Sequence, residues 1–249
     1  MSSAEPRSRA LVIVPTYNEA DSIEELVGRL FEACGDAVDL LIVDDGSPDG
    51  TADLIEDMSR TRPAIHLLRR THKQGLGTAY VAGFRWAIER DFQVVVEMDA
   101  DLSHDPADVP RLLQRARDAD LVVGSRYVPG GRVKNWGPLR TLLSRGGNLY
   151  ARAWLGFDVK DSTSGFRAYR TSVLENEDLE SLRSEGYAFQ IEMTRRVHLR
   201  SGSIVEVPIT FVERVRGTSK MSRAIVLEAM ASVTRWGLRD RLGRGRGRR

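Results

Sequence analysis

The feature that most constrains the fold of this 249-residue chain is a series of short, nearly unbroken valine, isoleucine and leucine runs in its first half. Leu11–Val14, Leu40–Val43 and Leu121–Val123 show no alternation of apolar with polar residues. A strand with one face in water alternates, whereas a strand covered on both faces reads as a continuous apolar run. The pattern places strands at Ala10–Pro15, Asp39–Val43, Ile65–Leu68, Val94–Met98 and Leu121–Val123. Helices are predicted between them over Ala20–Ala33, Thr51–Arg60, Gly77–Glu89 and Ala107–Ala116, with Pro106 and Pro110 suited to the start of the last. Strands alternating with helices imply right-handed βαβ units. The fold class is therefore α/β, with a mostly parallel, Rossmann-like sheet flanked by helices.

The second half is less regular. Pro129-Gly130-Gly131 and Gly137-Pro138 bracket a predicted mobile loop. Leu139–Phe157 is predicted helical, with Gly146-Gly147 as its weak point, and Asp161–Arg170 reads as a loop feeding a strand. Tyr187–Leu199 reads as a helix, Ser203–Phe211 as one alternating strand, Arg214–Met221 as a basic loop and Met221–Leu238 as a final helix. The organisation expected is a flexible N-terminus over 1–9, a single domain over 10–240 and a basic disordered tail over 241–249. A hydrophobic fraction of 41% with 29% charged residues is that of an ordinary globular chain. The net charge of +2 hides an asymmetry: Arg235–Arg249 holds seven arginines and one aspartate, a local +6 that leaves the remainder at −4. Cys34 is the only cysteine, so no intrachain disulfide forms. Met1–Arg9 is polar and no charge-free apolar run is long enough to span a bilayer, so an intracellular protein without its own membrane anchor is expected.

Two strand ends carry paired carboxylates. Asp99-Ala100-Asp101 follows the Val94–Met98 run, and Asp44-Asp45-Gly46-Ser47 follows the second strand. In open α/β sheets, ligands collect beyond the carboxyl ends of the strands. Two carboxylates one residue apart at such an edge offer hard oxygens suited to Mg²⁺ or Mn²⁺ holding a diphosphate. A bare D-x-D is also common in ordinary loops, and the second acidic strand end is what raises its significance. Near Asp44 and Asp45, Ser47 and Thr51 serve equally well as helix caps, and Asp49-Gly50 as a turn. Pro15-Thr16-Tyr17-Asn18-Glu19 closes the first strand; its ring and carboxylate suit a nucleobase and ribose, and Asn18 suits an N-cap just as well. Lys73-Gln74-Gly75-Leu76-Gly77-Thr78-Ala79 lacks Walker spacing and reads as a glycine turn that admits a ligand close to the backbone, with Lys73 as a charge partner. His66, His72, His104 and His198 fit no zinc spacing, and His104 reads as a loop residue.

In this order and spacing, P-T-Y-N-E, D-D-G-S-P-D-G-T, K-Q-G-L-G-T-A, D-A-D-L-S-H-D-P and D-S-T-S-G-F-R resemble the family 2 glycosyltransferases of GT-A fold. More narrowly, the chain is similar to the polyprenol-phosphate (dolichol-phosphate) mannose synthases, from Leu11 to about Met221. The resemblance implies GDP-mannose as donor, a polyprenyl phosphate as acceptor, a β-linked product and Mg²⁺ or Mn²⁺ as cofactor. It implies that Pro15, Tyr17, Glu19 and Asp44 hold the nucleotide, with Asp45 and Lys73 as further candidates on the donor side. Asp99 and Asp101 would take the metal, and Ser103, where relatives often carry a glutamine or another polar residue, is the third candidate ligand. Arg126, Arg140 and Ser144 would grip the acceptor phosphate, so that Asp99, Asp101 and Arg126 form the catalytic set. Asp161 and Gly165-Phe166-Arg167 would line the sugar pocket with Gln190 and Glu192 nearby, and Arg216 and Lys220 would close over the donor diphosphate. The Q-x-x-R-W motif of processive synthases is absent, which argues for transfer of a single sugar.

A lipid acceptor implies a membrane surface, here the cytoplasmic face, with the enzyme peripheral to it. Leu139–Phe157 and Met221–Leu238 are the expected C-terminal membrane-interface helices, with Leu142, Leu143, Leu149, Trp154, Leu155 and Phe157 as apolar positions on the first. The arginine tail would meet anionic lipid, and a membrane-anchoring partner protein would serve the same end. Packing of both helices against the sheet accounts for the same apolar positions. Two rival functions remain at this level. One is a polyprenyl-phosphate glucosyltransferase using UDP-glucose, with the same fold and metal site. The other is a non-catalytic module binding anionic lipid or nucleic acid through the tail; no stacking aromatics interleave the Gly/Arg stretch from Gly243, which speaks against a specific nucleic acid. A Rossmann oxidoreductase fails for want of G-x-G-x-x-G after the first strand.

Overall fold

The computed structural model describes residues 10–213 and 223–246. The expected flexible N-terminus, the loop bearing Arg216 and Lys220, and residues 247–249 lie outside the described residues. The first half runs β1 (Ala10–Thr16), α1 (Ala20–Cys34), β2 (Val38–Asp44), α2 (Thr51–Thr61), β3 (Ile65–Arg69), α3 (Leu76–Ile88), β4 (Val94–Glu97), α4 (Val109–Arg115) and β5 (Leu121–Ser125). Then come β6 (Arg132–Lys134), α5 (Pro138–Leu155), β7 (Arg167–Arg170), α6 (Thr171–Glu175), α7 (Gly186–Leu199), β8 (Ile204–Pro208), β9 (Thr210–Val212) and α8 (Arg223–Arg246).

Seven strands form one sheet in the order β3-β2-β1-β4-β7-β5-β8. All its pairings are parallel except those of β7, which runs antiparallel to both β4 and β5. Helices cover both faces. Val12 and Val14 join Ile23, Leu26 and Leu30 of α1 on one side, while Leu11 and Ile13 join Tyr80 and Phe84 of α3 and Phe189 of α7 on the other. Successive strand residues thus all enter a core, which is why the strand runs do not alternate.

Four sequence expectations are corrected. The predicted mobile loop contains a strand, β6, which pairs with β9 in a separate two-stranded sheet. The single strand expected over Ser203–Phe211 is accordingly two. At Ile209 the chain changes sheets: its N–H donates to Ser125 beside β8, and its carbonyl accepts from Arg132 of β6. Gly146-Gly147 does not interrupt α5, because Asn148, Ala151 and Leu155 just beyond are buried and hold the helix in place. The final helix runs past Leu238 to Arg246, into the stretch expected as a disordered tail. Tertiary contacts hold it: Asp240 accepts from Arg195 Nε at 2.8 Å, and the Arg241 guanidinium lies 4.6 Å from the Trp154 ring centre.

Candidate active site

Strand order reverses between β1 and β4, the position at which an open α/β sheet leaves a crevice beyond its carboxyl ends. A cleft of about 350 Å³ opens there, lined among others by Pro15, Glu19, Asp99, Asp101, Arg126, Arg140 and Gln190. With Gly165, which also borders it, eight of the sequence-derived candidates therefore share one cavity.

The Asp99–Asp101 loop is held from below. Leu102 adopts a φ of 60°, a left-handed conformation uncommon for leucine. The turn this makes lets the Ser103 N–H donate to Asp101 Oδ1 at 3.0 Å. Ser103 is buried and its carbonyl accepts from Val212, so it props Asp101 from under the loop. His104 supports the other carboxylate: Asp99 N–H points at its Nδ1 at 3.4 Å, and its ring stacks on Phe166 with centroids 5.0 Å apart. Burial pushes the His104 pKa down despite the nearby carboxylates, so the imidazole is neutral and acts as an acceptor. Its spacing from Asp101 is the only sequence signal for this role, in place of the plain loop role expected.

Arg126 sits at the end of β5 and is buried. Its Nε donates to Asp161 Oδ2 at 2.7 Å and its Nη2 to Oδ1 at 2.6 Å, a bidentate pair, with Thr163 Oγ1 at 2.9 Å. Burial opposes the charge, yet Asp161 outweighs it and pushes the Arg126 pKa above its ordinary value. Asp161 is wholly buried, so it does not line the sugar pocket as expected; it fixes the guanidinium from behind. Its own N–H donates to Glu206, which ties the 160–161 backbone to β8.

Several other candidates lie outside this cavity. Asp44 accepts from Thr16 Oγ1, Ser47 Oγ and the N–H groups of Gly46 and Ser47, the bonding of a turn-forming carboxylate. Asp45 pairs with Arg70 at 2.8 Å and accepts from the Gln74 and Gly75 N–H groups, closing the glycine turn. Tyr17 and Lys73 face one another, the ammonium 4.0 Å from the ring centre. Glu192 points away from Gln190, taking Ser184 and Arg196 as partners at 2.7 Å each. Two positions along a helix turn a side chain by about 200°, so the two residues cannot face one pocket.

Ser144 belongs to a second, narrow cavity of about 90 Å³, walled mainly by apolar residues of α5, α7 and α8 such as Leu143, Ile191 and Val233. Its hydroxyl accepts from Tyr127 at 2.7 Å. Arg126, Trp136, Thr163 and Tyr187 border both cavities, so the polar cleft and the apolar groove meet at the buried guanidinium.

Under the cleft, Gln190 and Arg167 meet Glu97, a residue the sequence reading does not name, in one polar network. Gln190 Nε2 donates to Glu97 Oε2 at 2.9 Å, inside the core. Arg167, also buried, donates to the carbonyls of Ser162, Ser164 and Gln190, tying the 162–164 loop to α7. This places Arg167 behind the wall of the cleft. Burial raises the Glu97 pKa from 4.5 to about 8, against the opposing pull of Arg167 and Gln190. Because the folded value exceeds the unfolded one, this group's stabilising contribution is present below pH 4.5 and is lost as pH rises to about 8. Glu97→Gln keeps the shape and cannot ionise. Its melting temperature should match wild type near pH 5 and exceed it near pH 9; identical curves at both pH values would show that Glu97 ionises normally.

A cleft with paired carboxylates at the switch point of an open α/β sheet is where such folds bind their ligands. The sequence profile described as Glycosyl transferase family 2 matches residues 11–177, and the chain belongs to that family. Among its relatives, the undecaprenyl-phosphate mannosyltransferase of Micrococcus luteus is 53% identical over 233 residues, covering 94% of this chain and 96% of that protein. The polyprenol monophosphomannose synthase of Mycolicibacterium smegmatis is 51% identical over 244 residues, covering 97% and 92%. Among solved structures, glucosyl-3-phosphoglycerate synthase from Mycobacterium tuberculosis, in complex with Mn²⁺, UDP and glucosyl-3-phosphoglycerate, superposes with a TM-score of 0.66 at 21% identity, covering 91% and 78%.

Proposed function

We propose that this glycosyltransferase moves mannose from GDP-mannose to a polyprenyl phosphate with inversion, at the cytoplasmic face of a membrane. The single observation that carries the reading is Arg126, a buried and permanently charged fork standing where a polar cleft meets an apolar groove. A lipid phosphate needs both environments at one point: a charged grip for its head and an apolar path for its tail. The names of the two relatives above supply the same pair of substrates, a mannosyl donor and a polyprenyl carrier.

A polyprenyl phosphate is already an anion near neutral pH, so it needs no general base. It needs relief from repulsion as it approaches a nucleotide diphosphate. Arg126, with Arg140 at the cleft edge, would hold the acceptor phosphate in line with the anomeric carbon. Attack from the face opposite the leaving group turns an α-linked donor into a β-linked product.

The donor side fits a divalent cation. Asp99 and Asp101 both border the cleft, each anchored through a backbone contact, and among the described residues no larger group of His, Cys, Asp or Glu gathers around them. Two carboxylates completed by diphosphate oxygens and water make an ordinary Mg²⁺ or Mn²⁺ site. Asp99 and Asp101 would hold such an ion, which when bound would neutralise the leaving diphosphate.

Membrane association has a physical basis on α5 and α8. Leu139, Leu142, Leu143 and Leu149 are exposed on the first, and Leu227, Leu238 and Leu242 on the second. Among the described residues no helix is long and apolar enough to cross a membrane, so these side chains would enter only the interface. The arginine-rich end would add attraction to the anionic cytoplasmic leaflet. Leu142→Glu with Leu149→Glu should lower the fraction sedimenting with anionic vesicles roughly tenfold and leave the melting temperature unchanged. Full retention by the double variant would place the membrane contact elsewhere.

The function is tested with radiolabelled GDP-mannose and a short polyprenyl phosphate, with EDTA, Mg²⁺ or Mn²⁺. Label entering the organic phase only with metal supports the reading. Transfer from UDP-glucose instead would keep the fold and change the donor. Binding of anionic lipid without any transfer would favour a non-catalytic module.

A further inference from the structure

Trp136 lies between β6 and α5, bordering both the polar cleft and the apolar groove. Its indole Nε1–H is buried from solvent and has no hydrogen-bond partner among the described residues. The Nε–H of Arg140 is in the same condition, although that guanidinium is paired with Glu213 at another nitrogen. An unmet buried donor is destabilising, so two of them beside one cleft need a physical account.

The surroundings supply one. The Arg140 guanidinium lies 4.2 Å from the centre of the Trp136 ring and that of Arg126 lies 5.3 Å from it. Phe211 meets the same indole edge to face at 5.4 Å and fixes its orientation. Two cations and two unmet donors are thus gathered on one ring, at the junction where a phosphate head would pass from groove to cleft. Each guanidinium already has a carboxylate partner, Asp161 or Glu213, and the several oxygens of a phosphate would supply acceptors for the two unmet N–H groups.

We propose that the Trp136 indole N–H is a direct ligand of the acceptor's phosphate, donating a hydrogen bond alongside Arg126 and Arg140, while the ring spaces the two guanidinium groups. The inference rests on the acceptor reading above and names a binding group beyond the arginines and the serine. The ring serves the site by cation–π contact, and the N–H serves it by a bond that phenylalanine cannot make.

The test uses the full chain with its indole nitrogens labelled. Four tryptophans give four indole N–H signals, and that of Trp136 is the one missing in Trp136→Phe. If that variant does not fold, single replacements of Trp86, Trp154 and Trp236 assign the signal by elimination. Farnesyl phosphate should move the Trp136 signal downfield, as a new hydrogen bond to an anion requires, whereas farnesol should not. In turnover, Trp136→Phe should raise KM for the polyprenyl phosphate roughly ten- to a hundredfold and leave KM for GDP-mannose unchanged. An unmoved signal with farnesyl phosphate bound, or an equal shift with farnesol, would overturn the inference while leaving the acceptor reading intact. Failure of the wild-type protein to bind or turn over any polyprenyl phosphate would overturn both.

Discussion

Asp101→Ala is expected to lower mannosyl transfer by about 10²–10⁴-fold, with the melting temperature close to that of wild type. The prediction follows from where the carboxylate stands. It borders the cleft, and the bond described for it is accepted from the Ser103 N–H, a contact within its own loop. Asp101 is only half-buried, so truncation removes one of the two hard oxygens proposed for the cation and little of the packed core. Three measurements separate this role from a structural one. Transfer by the variant should respond weakly to added Mn²⁺, GDP should bind it with much reduced metal dependence, and its thermal unfolding should be unaltered. A variant as active as wild type in the presence of EDTA would remove the metal from the proposal.

The second large effect concerns stability and activity together. Asp161→Ala leaves the Arg126 guanidinium buried without its bidentate partner. Breaking one side of a buried ion pair costs about 3–5 kcal/mol. For a chain of this size that corresponds to a fall of roughly 10 °C in melting temperature. Replacing both members, Asp161→Leu with Arg126→Leu, should recover much of the stability, since no buried charge remains unpaired. It should recover none of the transfer, because the proposed grip on the acceptor is gone. Recovery of activity by the double variant would show that the pair is scaffolding only.

These two carboxylates differ in how far the sequence could reveal them. Asp101 is legible because its placement depends on local features: a strand-length apolar run, then acidic residues in a loop. Asp161 stands in an equally polar loop, and only the family resemblance singles it out, as a residue lining the sugar pocket. Its side chain instead turns inward to Arg126, 35 positions earlier. Nothing in the local pattern encodes that approach, which arises because β7 inserts antiparallel beside β5 and brings the preceding loop under the end of that strand.

The sequence by itself determined the order of strands and helices in the first half, the two-sided burial of the sheet and the acidic strand ends. These follow from short-range periodicity and from the rule that ligands gather beyond the carboxyl ends of open sheets. Only the tertiary structure decided which candidates face one another. It turned Gln190 into the cleft and Glu192 away from it, engaged Asp44 in its own turn and Asp45 in the distant glycine turn, and set His104 behind Asp99. It divided the last expected strand between two sheets and carried the final helix into the arginine-rich segment. The physical reason is common to all of these. Burial of a polar side chain is tolerated only where a partner, often distant along the chain, satisfies it, and such partners are chosen by packing and not by sequence period.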